Sequence, residues 1–159
     1  MKRLFTPWRM KYIQNNSPTN VCVFCAALEQ KDGPDNLILY RGEQAFVILN
    51  RFPYASGHLM VVPYVHKPDF KVLDTTTRSE IMELLTRAVQ ALDEVYHPAG
   101  YNVGANIGAV AGAGVAAHVH FHVVPRWAGD TNFMTTVGDT RMLPEDLGVT
   151  YQRVLEHWK

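Results

Sequence analysis

Hydrophobic and polar positions divide this chain into short strand-like blocks, one long helical repeat and a glycine-rich gap. Leu37-Ile-Leu-Tyr-Arg41 is an apolar block closed by Gly42. Ala45–Leu49 is a second, running into Asn50. Residues 52–57, FPYASG, carry the Pro and Gly of a turn. His58–Tyr64, HLMVVPY, then reads as an apolar strand that Pro63 should end. Strands at this spacing, joined by short turns, predict antiparallel hairpins.

The middle of the chain changes period. Ile81, Leu84, Leu85, Ala88, Val89, Leu92 and Tyr96 recur at helical spacing and predict one buried face. Thr77 with Glu80 three residues on matches a capping box for its start. His97-Pro98-Ala99-Gly100 stops it. Gly100, Gly104, Gly108, Gly112 and Gly114 follow, five of the chain's eleven glycines. Residues 118–124 alternate again and predict a strand. The tail, 144–159, opens with Pro144-Glu145 and has helical spacing at Leu147, Tyr151, Val154, Leu155 and Trp158. Residues 1–20, polar and aromatic with Pro7 and Pro18, read as an N-terminal arm that docks on something. The order predicts an α+β fold in a single domain over residues 1–159, with a twisted antiparallel sheet, one long helix and a short tail helix.

Composition narrows the function classes. Apolar residues are 47% of the 159, enough for a real core. Fifteen Lys and Arg balance fifteen Asp and Glu, so phosphate-backbone binding to nucleic acid is not expected. No run of about 18 apolar residues predicts a membrane span. The start, MKRLFTPWRMKYI, lacks the apolar block of a signal peptide. A cytoplasmic location is the expectation. There, Cys22 and Cys25 read as metal-binding or redox-active thiols rather than a disulfide.

Residues 118–127, HVHFHVVPRW, carry the most chemistry. Side chains two apart on a strand share a face. His118, His120 and His122 then line one side, open to water or a ligand, and Val119, Phe121 and Val123 line the other. Such a face can be merely polar, although three imidazoles suit a solvent face poorly. It can bind metal through adjacent members. All three on one ion is awkward, because the outer two lie ~13 Å apart at about 3.3 Å per residue. Or it can be catalytic: a neutral imidazole is a usable nucleophile, and a neighbour can handle the proton. The preceding loop, Gly108 to Gly114, offers mainly backbone N–H groups, which can cradle phosphate oxygens; Gly112 and Gly114 are its candidates. Arg126 could add a fixed positive charge.

HVHFHVV resembles the His-φ-His-φ-His-φ-φ motif of the histidine triad (HIT) superfamily of nucleotidyl hydrolases and transferases. The upstream NRFPYASGHLMVVPYVH is similar to the family's first-half signature. The downstream PRWAGDTNFM resembles the branch that includes bacterial diadenosine tetraphosphate phosphorylases. The resemblance spans roughly residues 4–145. It implies a nucleoside phosphate or dinucleoside polyphosphate bound across the sheet. It implies His120 as the nucleophile that becomes nucleotidylated, His122 beside the bridging or leaving oxygen, and Asn50 on the ribose. It places His58 near the nucleotide, although a satisfied core histidine fits that position equally. It also implies a homodimer paired through the long helix and a strand. One departure stands out: Ala109 to Ala117 has no polar side chain where many relatives carry Ser or Gln. Backbone amides would have to hold the phosphate. A non-catalytic nucleotide-binding or zinc-stabilised interaction protein, and a HIT hydrolase of nucleoside phosphoramidates, are the rival readings.

Cys22-Val-Phe-Cys25 is a lone CxxC, either a pair of buried thiols or half of a zinc site. His66 and His118 are available to complete it. The set Cys22, Cys25, His66 and His118 resembles the zinc site of some HIT and galactose-1-phosphate uridylyltransferase relatives. Four protein ligands would make the zinc structural; no organic cofactor is expected. His97 and His157 sit at predicted helix ends, where a cation suits the dipole. Trp8, Trp127 and Trp158 are read as packing residues before base-stacking ones.

Overall fold

A computed structural model describes residues 21–130 and 145–159. The arm at 1–20 with Trp8, the Thr131–Met134 part of PRWAGDTNFM, and Pro144 lie outside those residues. Five strands form one antiparallel sheet: β1 (Ile38–Arg41), β2 (Ala45–Leu49), β3 (Leu59–Pro63), β4 (Gly100–Gly104) and β5 (Phe121–Arg126). Their order is β1-β2-β3-β5-β4, so β5, with the last histidine, is an interior strand. Among the described residues three α-helices accompany them: α1 (Val23–Leu28), α2 (Thr75–Tyr96) and α3 (Leu147–His157). The α+β expectation and its antiparallel hairpins are what the structure has.

β2 and β3 are buried at every position, AFVIL and LMVVP, as interior strands covered on both faces require. Helix α2 covers one of those faces, lying across β2, β3 and β5. Its buried residues are Thr77, Ile81, Leu84, Leu85, Ala88, Ala91, Leu92 and Val95. Val89 and Tyr96 pack at the edge of the core rather than inside it. Fully burying a residue such as Leu92 is worth roughly 1.5–3 kcal/mol. α3 packs on α2 and β1. Tyr101 of β4 reaches α2, its hydroxyl donating to Asp93 Oδ1 at 2.7 Å. Tyr101 pairs with Pro125. Alternation therefore turns Val123 and Phe121 toward α2 and His122 to the opposite face.

Two expectations change. The cap of α2 is Asp74, whose carboxylate accepts from Thr77 N at 2.7 Å; Thr77 is instead the buried N3 residue. Glu80 turns away to accept the backbone N–H groups of Glu43 and Gln44 in the β1–β2 turn. Two consecutive amides there outcompete the single amide a capping box supplies. The histidine strand also begins later than 118. His118 N donates to Val115 O, closing a turn, and Val119 N donates to Lys67 O outside the ladder. Pairing with β3 starts only at Phe121 opposite Val61.

Replacing Asp74 with Ala removes the cap and should cost about 1 kcal/mol of stability, read as a lower denaturation midpoint in urea. An unchanged midpoint would return the cap to Thr77.

Candidate active site and metal centre

Gly57, just before β3, sets the entry to the site. Its φ is +75°, and a Cβ there would meet Leu92 Cδ2 at 2.8 Å. The turn can therefore lie flat on α2 and deliver His58 into the interior. His58 has no exposed surface. Its Nδ1 accepts from Tyr54 N at 3.1 Å. A ring nitrogen that accepts carries no proton, so the neutral ring bears its hydrogen on Nε2. That Nε2 lies 2.9 Å from His122 Nδ1 and donates to it. His122 is thereby left with its own hydrogen on Nε2.

His120 has the opposite arrangement. Its Nδ1 is 2.9 Å from His118 O, and a carbonyl can only accept. The proton sits on Nδ1 and the lone pair on Nε2. The His120 and His122 rings are 4.9 Å apart, edge to face. Burial pushes both below the ordinary 6.5, with His122 at about 4 through desolvation first and the neighbouring His120 second. Two neutral imidazoles thus stand side by side, one offering a lone pair and the other an N–H. That arrangement can attack an electrophilic phosphorus and hydrogen-bond a leaving oxygen.

The histidine row is not the open face that alternation predicts. His118 has no exposed surface and His120 is 4% exposed. Both are held by backbone carbonyls, and the Phe24 ring packs on both. Backbone acceptors replace the water that an exposed imidazole would need.

His118 faces elsewhere. Its Nε2 lies 2.8 Å from Pro63 O, which places the proton there and leaves the Nδ1 lone pair free. That Nδ1 lies 3.3 Å from Cys22 Sγ and 3.8 Å from Cys25 Sγ. His66 Nδ1 is 3.4 Å from Cys25 Sγ. One donor atom from each of Cys22, Cys25, His66 and His118 lies within 4.8 Å of the others. An N-to-S edge of about 3.6 Å follows for a tetrahedron with bonds of roughly 2.3 Å to sulfur and 2.0–2.1 Å to nitrogen. The four residues fit a metal ion. Burial and the adjacent Cys22 push the Cys25 thiol up, which a cation would reverse.

The other expected residues are placed unevenly. Asn50 borders the site, its Nδ2 3.4 Å from His58 Nδ1 and its Oδ1 accepting from Phe52 N at 2.9 Å. Gly112 lies in the loop after the 3-10 turn Ala109–Ala111, but its N–H donates to Ala109 O at 3.0 Å. Ala111 N and Ala113 N both donate to Gly108 O. Arg126 does not join the histidines; at the far end of β5 it pairs with Asp130 and donates to Asn102 Oδ1. His97 caps α2 in the left-handed region and His157 ends α3. Trp127 packs on Tyr96, and Trp158 on Tyr40. Sequence reading missed Tyr54, whose ring lies 4.6 Å from His58 and 5.9 Å from His122. It also missed Phe24. The one available signal for Phe24 was its place inside the CxxC.

The HIT domain family matches residues 31–129. The chain is 35% identical to an AP-4-A phosphorylase of Mycobacterium tuberculosis, an alignment covering 99% of this chain and 85% of that one. An uncharacterized HIT-like protein of Mycoplasma pneumoniae is 32% identical over 76% of this chain and 82% of its own length. The crystal structure of a Zn-bound histidine triad family protein from Mycobacterium smegmatis superposes with a TM-score of 0.69 at 27% identity, covering 87% of this chain and 94% of that one.

NMR titration of the ring carbons should place the His122 midpoint near 4 and that of His120 below 6.5. Midpoints at the ordinary value would contradict the desolvated, neutral pair.

Proposed function

The chain belongs to the HIT domain family, and we propose that it opens dinucleoside polyphosphates at the α-phosphorus, as a diadenosine tetraphosphate phosphorylase does. Identity to such an enzyme along nearly the whole chain supports the substrate class. The observation that carries the mechanism is the opposed pair of tautomers on His120 and His122. His120 Nε2 attacks the α-phosphorus, and the bond from phosphorus to the bridging oxygen breaks. His122 Nε2–H donates to that departing oxygen. The nucleotidylated His120 ring is cationic, and its Nδ1–H stays on His118 O, which lies where that charge develops. In the second step an oxygen of inorganic phosphate attacks the same phosphorus, the bond from phosphorus to His120 Nε2 breaks, and the product leaves as ADP with the His120 ring neutral again. His58 keeps the proton of His122 on the outward nitrogen.

Zinc is the metal we assign to Cys22, Cys25, His66 and His118, because two thiolates with two imidazoles suit its softness and tetrahedral preference. The Zn-bound relative supports it. With four protein ligands it would hold structure and take no part in bond breaking. His118, with both nitrogens engaged, then serves the reaction through its carbonyl. A homodimer belongs to the same reading: β4 is an edge strand, and Val103 on it and Met82 on α2 are exposed. A non-catalytic nucleotide binder is the second reading. The loop amides of Ala111, Gly112 and Ala113 that bond within their own loop favour it.

Incubated with diadenosine tetraphosphate and inorganic phosphate, the protein should release ADP and ATP, and His120→Asn should lose at least 1000-fold in kcat while still binding. AMP and ATP formed equally without phosphate would make it a hydrolase; binding without turnover would favour the second reading. Zinc content measured by mass spectrometry should be one per chain and fall in Cys22→Ser. Unchanged zinc in that variant would remove Cys22 from the ligand set.

A further inference from the structure

α1 has only six residues, too few to be a stable helix by itself. It begins at Cys22, whose carbonyl accepts from Ala26 N at 2.9 Å, and it carries Cys25. Phe24 lies between these two donors and points inward, 4% exposed. Its ring meets His118 edge-on at 5.5 Å and His120 at 5.0 Å with a 50° tilt. Among the described residues the His120 ring has one hydrogen bond, from Nδ1 to His118 O, and the His122 ring meets it on one side at 4.9 Å. The hydrogen bond sets the tautomer, but it holds the ring at one corner only. Phe24 adds a further contact that limits swing about that corner.

We propose that Phe24 is a positioning residue for His120, clamping the nucleophile's ring from within the cysteine pair so that the metal centre and the reacting nitrogen move as one unit. The catalytic part rests on His120 being the nucleophile. Two paths join the centre to that ring. One runs through the His118 main chain, whose side chain is a candidate ligand and whose carbonyl holds Nδ1. The other runs through α1, whose two cysteines bracket Phe24. With the four ligands engaged, neither α1 nor residue 118 can drift, and His120 Nε2 keeps one direction. A reacting atom displaced by about 1 Å can cost 100-fold in rate without weakening binding.

The test compares the parent, Phe24→Ala, Phe24→Leu and the exposed control Val23→Ala, each zinc-loaded and checked for metal content and thermal midpoint. With diadenosine tetraphosphate and phosphate, Phe24→Ala should lose roughly 10- to 100-fold in kcat, with KM within about twofold and zinc unchanged. Phe24→Leu, which refills the space, should recover most of the loss, and Val23→Ala should match the parent. NMR relaxation of the His120 ring carbons reads the positioning without turnover: the ring should be rigid in the parent and mobile in Phe24→Ala, with the Nδ1–H form kept in both. Parental kcat together with a ring as rigid as the parent's in Phe24→Ala would overturn the proposal. So would a loss that follows zinc content in both Phe24 variants, since Phe24 would then serve only the metal centre. A parent that turns over no dinucleotide would overturn the proposed function instead, and the ring relaxation would still decide the role of Phe24.

Discussion

One hydrogen bond, from His120 Nδ1 to the carbonyl of His118, carries the chemistry of this site. A carbonyl has no hydrogen to give, so it dictates which ring nitrogen is protonated and leaves the other with a lone pair. The same rule repeats around it. Pro63 O fixes the His118 tautomer and turns its bare nitrogen toward the two thiols. Tyr54 N–H fixes His58, which in turn fixes His122. Four histidines, alike in the sequence, thus present three faces: a lone pair, an N–H with its orienting partner, and a bare nitrogen within the candidate metal cluster.

Desolvation makes those assignments hold at neutral pH. Rings that remained at the ordinary 6.5 would be partly cationic, and a cationic His120 has no lone pair to attack with. Burial under Phe24 and against β3 keeps the charge off. The hydrogen bonds keep that burial from leaving polar atoms unpaired. The sheet makes both conditions possible, because β5 is an interior strand bordered by β3 and β4.

Much of this was legible in the sequence. The strand blocks and the helical face from Ile81 to Leu92 follow from period and residue type, and the set Cys22, Cys25, His66 and His118 from residue type together with the resemblance to HIT zinc sites. Other features depend on backbone partners that no side-chain pattern encodes. Alternation in HVHFH predicts an open histidine face, yet His118 and His120 leave the ladder and bury themselves on carbonyls. Asp74 takes the cap expected of Thr77 because Glu80 finds two amides in a distant turn. Arg126, adjacent to the motif in sequence, is carried by strand direction to the far end of β5. Phe24 is 96 residues from His120 and meets it only through the fold.

The central claim is that Nε2 of His120 forms a bond to phosphorus. Rapid acid-free quenching of the protein with diadenosine tetraphosphate in the absence of phosphate, followed by peptide mass spectrometry, tests it most directly. An adenylyl group on His120, lost when phosphate is added and accompanied by ADP, is the predicted result. Turnover that continues with the adduct on another residue, or with no adduct during the first turnover, would contradict it.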